Sequence, residues 1–132
     1  MTRPTKLAAT LAATIAISGA LAGCDKQLEA PMNTGVCWQL VNKDGKSVFN
    51  TVSEHEPSIE ACAASLEGMR LHFLAIGGTS EVITGAYQGQ FLFLQKEGVF
   101  TSQTLKGGRY LLLVRTGDGQ LAKLGAGPAA AP

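Results

Sequence analysis

Apolar and polar positions first alternate over residues 36–42, with Val36, Trp38 and Leu40 on one side and Cys37, Gln39 and Val41 on the other. A period of two marks a strand. Lys43-Asp44-Gly45-Lys46 follows, and Asp-Gly between two such runs predicts a tight hairpin with residues 47–53 as the returning strand. The period then changes. Ile59, Cys62, Ala63, Leu66, Met69 and Phe73 recur at helical spacing behind Glu56-Pro57-Ser58, so a helix is expected from Pro57 to His72 or Phe73. These residues form its inner stripe, while Glu60, Glu67 and Arg70 are left to water. Gly77-Gly78 ends the segment.

Beyond Val82 the runs shorten again, over residues 82–87, 90–96, 99–105, 110–114 and 121–124, separated by glycine-bearing turns. That is the pattern of an antiparallel meander. The expected fold is α+β, an antiparallel sheet of about five to six strands packed with one helix. Two runs break the rule that a half-solvated strand alternates. Residues 91–94 read Phe-Leu-Phe-Leu and residues 110–114 read Tyr-Leu-Leu-Leu-Val, apolar on both faces. One helix roofs one face. The other must be closed by curling of the sheet, by the first hairpin folding over it, or by a partner, because each buried Phe or Leu is worth about 1.5–3 kcal/mol.

The first two dozen residues follow a different logic. Arg3 and Lys6 precede a run of Leu, Ala and Ile over residues 7–21. This is a basic region followed by an apolar stretch shorter than the roughly twenty residues a bilayer-spanning helix needs. It ends in Leu21-Ala22-Gly23-Cys24. These four residues resemble the lipobox of bacterial lipoproteins. The resemblance implies cleavage after Gly23, acylation of Cys24 and a lipid anchor on the periplasmic side of a membrane. Two or three acyl chains hold a protein stably where one does not. In the same family, Asp after the acylated cysteine resembles a signal for retention in the inner membrane; Asp25 occupies that place, Lys26 beside it makes a weaker version of the signal, and the outer membrane is the alternative. The expected organisation is a signal peptide over residues 1–23, lipidated Cys24 and a tether over 24–34, one domain over 35–124, and an Ala/Pro-rich tail over 125–132.

Removing Arg3 and Lys6 from the eleven basic residues leaves nine against ten acids, a formal charge of −1. Nothing in that balance draws the domain to nucleic acid. With Cys24 consumed by lipid, Cys37 and Cys62 remain, in a compartment where disulfides persist. A bridge between them is expected. Closing that loop contributes about 3–3.5 kcal/mol in the chain-entropy account.

Motifs that carry chemistry are scarce. Gly45-Lys46-Ser47 has the end of a phosphate-binding loop, but Leu40 stands where the required first glycine belongs, so it reads as a charged turn. Glu54-His55-Glu56 offers two carboxylates on one side of an extended segment and no third ligand, which suits a solvated loop better than a transition metal. His72 falls near the helix end, where a cation is favoured. No cofactor and no enzymatic activity are expected. Candidate partner contacts are Tyr87, Gln88 and Gln90, in a loop rich in small residues ahead of an apolar strand, and Arg109, which with Arg115 flanks the last apolar run.

The expected function is therefore that of a non-enzymatic accessory, assembly or binding module of a cell-envelope complex, with an envelope protein as its partner. An alternative comes from residues 81–98, whose Gly-Ala-Tyr, Phe-Leu-Phe and Lys-Glu-Gly steps resemble C-type lysozyme inhibitor lipoproteins. That resemblance implies inhibition of an envelope hydrolase. This chain lacks the serine-rich run those proteins carry before the Gly-Ala step, and its helix around Cys62 does not belong to their all-β barrel.

Overall fold

The computed structural model describes residues 26–79 and 82–124. It contains a single antiparallel sheet of seven strands and one helix. The strands are β1 (Cys37–Lys43), β2 (Lys46–Ser53), β3 (Ile83–Tyr87), β4 (Gln90–Leu94), β5 (Gly98–Ser102), β6 (Tyr110–Arg115) and β7 (Leu121–Lys123). Helix α1 (Ile59–Ala75) lies between β2 and β3 in the chain. Strand order is β2-β1-β3-β4-β5-β6-β7, so the sheet is open, with β2 and β7 at its edges. The class is α+β as expected. The strand number is seven rather than five to six, because both arms of the first hairpin and the three-residue β7 join the same sheet.

Local chemistry explains the elements. The β1–β2 hairpin turns through Asp44 and Gly45, both with positive φ (53° and 77°), as a two-residue turn that matches strand twist requires. Gln88 and Gly89 do the same between β3 and β4 (43° and 81°). The helix begins where Ser58 accepts a hydrogen bond from the Ala61 N–H at 3.1 Å, so Pro57 lies just outside it. It runs two residues past Phe73. There Gly77 N–H donates to the Leu74 carbonyl and Gly78 N–H to the Phe73 carbonyl, the bond pair of a helix closed by a left-handed glycine.

The helix packs on one face of the sheet. Cys62, Ala63 and Leu66 meet Cys37, Ile83, Tyr87, Leu92, Leu94, Val99 and Leu113 in one buried cluster. The Cys37–Cys62 disulfide is present, with the two Cα atoms 5.3 Å apart, and ties the first helical turns to β1. Gly85 lets the helix approach. A Cβ there would stand 2.3 Å from a Leu66 methyl and 2.8 Å from the Trp38 carbonyl oxygen. Only the first half of the expected stripe is core. Met69 and Phe73 are exposed rather than buried.

The opposite face closes within the chain. Phe91, Phe93, Ala86 and Ala30 are buried there, with Trp38, Leu40, Phe49, Phe100, Leu105 and Leu28 packed against them. Phe49 and Phe91 have ring centroids 6.3 Å apart. Their strands are three steps apart in a sheet whose steps are about 4.8 Å, so a flat sheet would hold their backbones about 14 Å apart. Rings leaning together and a curl of the sheet, concave toward this second cluster, close that distance. Of the stretch expected as a tether, Leu28 and Ala30 plug the concavity, and the Pro31 carbonyl accepts a hydrogen bond from Gly89 N–H at 2.9 Å. The connection from β5 to β6 folds over it too, bringing Leu105 into the cluster and the Arg109 guanidinium 3.6 Å from the Phe93 ring centroid. Residues 91–94 are thus sealed on both faces. On β6 only Leu113 is fully buried, and Tyr110 and Leu111 keep exposed surface.

Candidate functional site

Helix α1 sits on the convex face as a ridge with two unlike flanks. On the flank toward β6 and β7, Glu67 is buried, its side chain 9% exposed. The helical pattern assigns it to water, but the structure buries it between two guanidinium groups. Arg115 donates two bonds to its carboxylate, at 2.6 and 2.9 Å, and Arg70 donates two more at 2.9 Å each. Burial pushes the Glu67 carboxyl up, but these hydrogen bonds and the two positive charges outweigh it and hold its pKa down to about 2. Arg115 also donates to the Gln95 carbonyl at 3.0 Å. Every donor is turned inward onto this chain, so Arg115 is a clamp between helix and sheet and no rim for a partner carboxylate.

The flank toward β1 and β3 is different. The second half of the helix stands away from the sheet, and Met69, His72, Phe73 and Ile76 face Gln39, Val41, Val82 and Ile83 across a groove of about 520 Å³. Phe73 lies against Gly78 and is still 43% exposed; Ile76 is 70% exposed and Val82 50%. Gln39 and His72 supply polar side chains along the same lining. The cause lies in the packing of the first half. The disulfide and the Leu66–Gly85 approach fix the helix close to the sheet at its start, and the Glu67–Arg115 pair holds it toward β6. The apolar residues beyond Glu67 are left without a roof. The groove gathers four exposed apolar side chains, Met69, Phe73, Ile76 and Val82, on one concave surface, the usual form of a binding site.

The residues picked from sequence fall elsewhere. Tyr87 is not presented to solvent. It is 6% exposed on the helix-side face, and its hydroxyl donates to the Glu56 carbonyl at 2.8 Å. Gln88 forms the two-residue turn and accepts from Gly35 N–H at 2.9 Å. Gln90 stays at the surface and accepts from the Thr101 hydroxyl. Arg109 covers Phe93. These four surround one end of the sheet, while the groove lies toward the other. Glu56 takes hydrogen bonds from the Ser53 and Ser65 hydroxyls, which hold its carboxyl below the usual range, so it braces the loop before the helix. His55 and His72 are exposed. Among the described residues no three His, Cys, Asp or Glu side chains are grouped to hold a metal. Cys24, Asp25 and the tail lie outside the described residues. No helix among the described residues is long and apolar enough to cross a membrane.

The sequence shows Met69 and Phe73 at helical spacing, which reads as core. Their half of the helix lies beyond Glu67, whose partner Arg115 is 48 positions away. No local pattern contains that. Searches of protein-family models, curated proteins and solved structures find no match to this chain.

Proposed function

We propose that this chain is a lipid-anchored, non-enzymatic binding module of the cell envelope. It is held on the periplasmic side of the inner membrane through acylated Cys24 and docks an apolar segment of an envelope protein in the groove beside α1. The anchor is supported by Leu21-Ala22-Gly23-Cys24 and the basic, apolar run before it. The docking role is carried by one observation: Phe73, Ile76 and Val82 remain exposed along a single groove, although the same fold seals the equally apolar β4 on both faces. The polar side chains of Gln39 and His72 beside them suit a peptide backbone lying on an apolar floor. The hydrolase-inhibitor alternative has less support, because Tyr87 of its Gly-Ala-Tyr step is turned into the core.

The test is a photo-crosslinking residue placed in turn at Phe73, Ile76 and, as a control, Lys46, in the full chain within its membrane. A discrete protein adduct of one mass at Phe73 and Ile76, absent at Lys46, is expected. No adduct, or the same adducts at all three positions, refutes docking in the groove. Labelling with a fatty-acid analogue, lost in Cys24→Ser, tests the anchor separately.

A further inference from the structure

The geometry points to a second surface, and we propose that the end of the sheet bearing the β3–β4 turn and the β5–β6 connection lies on the headgroups of the anchoring bilayer, with Met32 and Tyr110 in the interface. The inference rests on acylation of Cys24 and goes beyond it, because an anchor alone leaves a domain free to turn.

The argument starts from chain length. Leu28 is packed in the concave cluster, and only four positions separate it from Cys24. Four residues span at most about 14 Å fully extended. The acyl chains on Cys24 would hold its backbone near the boundary of hydrocarbon and headgroups, and the headgroup layer is itself about 5–8 Å deep on each side. The end of the domain around Leu28 therefore reaches the headgroups with almost no slack. A tether free to its last residue would have allowed about 30 Å.

The surface at that end suits the position. Residues 27–30 and Met32 line one shallow depression together with Gln90, Gln103 and Thr104. Gln90, Gln103 and Thr104 also line the next depression, with Tyr110, so the two form one continuous surface. Met32 is 75% exposed beside Gly89, and Tyr110 is 74% exposed. Tyrosine favours the membrane interface, where its ring meets apolar chains and its hydroxyl meets water. Lys26, Lys106 and Arg109 are exposed there, balanced by Glu29, Glu54 and Glu56 at the same end, so the contact rests on the tether length and on Met32 and Tyr110 rather than on net charge. The groove beside α1 lies toward the opposite end of the strands, so this orientation points it away from the bilayer and toward a partner.

The experiment uses the full-length acylated protein in vesicles of phosphatidylethanolamine with phosphatidylglycerol. A single environment-sensitive probe is attached to Met32→Cys, Tyr110→Cys or Phe73→Cys, all at exposed positions, so the fold is not at stake. The quencher is a nitroxide on the lipid headgroup, and mass spectrometry of the N-terminal peptide records acylation in the same sample. The expected result is quenching at 32 and 110 several-fold stronger than at 73. Weak quenching at 32 and 110, or equal quenching at all three, in protein that carries acyl chains overturns the orientation and leaves the anchor intact. A peptide without acyl chains overturns both.

Discussion

Replacing Glu67 by Gln keeps the shape of the side chain and removes the charge that holds Arg115 and Arg70. The carboxyl falls from its ordinary 4.5 to about 2 in the folded chain. That difference is worth about 3 kcal/mol at neutral pH, and about 2 after allowing for the partial solvent screening of a pair near the surface. The variant should therefore unfold about 2–3 kcal/mol more easily at pH 7, followed in urea through the fluorescence of Trp38, the chain's single tryptophan. The sign with pH is fixed. A carboxyl whose folded pKa is depressed stabilises the fold above its ordinary pKa, and that stabilisation is lost as the pH falls from about 4.5 toward 2. The native chain should lose stability over that window, and the gap to Glu67→Gln should narrow toward zero. Glu56 and Asp118 also sit below the usual carboxylate range, but both proteins keep them, so they cancel in the difference. A gap under about 0.5 kcal/mol at pH 7, or one that does not change between pH 4.5 and 2, would refute the clamp.

Three further outcomes follow from the packing. Gly85→Ala should destabilise by at least about 1–3 kcal/mol, read as a lowered urea midpoint, because its new methyl meets the Trp38 carbonyl oxygen as well as Leu66, and backbone cannot swing aside. Cys37→Ala with Cys62→Ala should cost about 3.5 kcal/mol by the loop-closure account, and hydrogen exchange should rise first in the opening turns of α1. Phe73→Ser with Ile76→Ser should change the urea midpoint little for such large apolar losses, since both side chains are already solvated, yet abolish the crosslinked adduct; a collapse of stability would place them in the core instead.

Much of the architecture could be read along the chain, for identifiable reasons. Asp44-Gly45 specifies its turn because both residues tolerate positive φ, and the helix is legible from the spacing of Ile59, Cys62 and Leu66, although Pro57 reads as its first residue and the Ser58 hydroxyl caps it one residue later. The disulfide was legible from cysteine arithmetic, since Cys37 and Cys62 are the pair left once Cys24 is set aside. Gln88-Gly89 is less legible as a turn, since glutamine seldom takes positive φ, and the alternation Ile83, Gly85, Tyr87 that buries the tyrosine is visible only once β3 is known to face the helix. The candidate groove was hidden for a stronger reason. Helical periodicity ranks residues by which side of the helix they occupy and says nothing about how far along its length the sheet stays in contact. Here burial on the helix ends at Glu67, which pairs with Arg115, 48 positions away.

Closure of β4 changes which apolar surface argues for a partner. From composition alone, the two-faced runs at 91–94 and 110–114 carry that argument. Curling hides the first on the concave side, the helix hides it on the convex side, and the chain's own Leu28 and Leu105 complete the seal. What stays exposed is what curling cannot reach. Phe73, Ile76 and Val82 lie on the convex side beyond the last helix–sheet contact, while Tyr110 and Met32 lie at the end where the chain comes from Cys24. Two such places lie beside the free half of the helix and at the mouth of the concavity, while Leu71 and Leu124 are exposed apart from both. On the proposed acylation of Cys24, the mouth lies within about 14 Å of the anchored residue, which would assign the second place to the bilayer and leave the first to a protein partner.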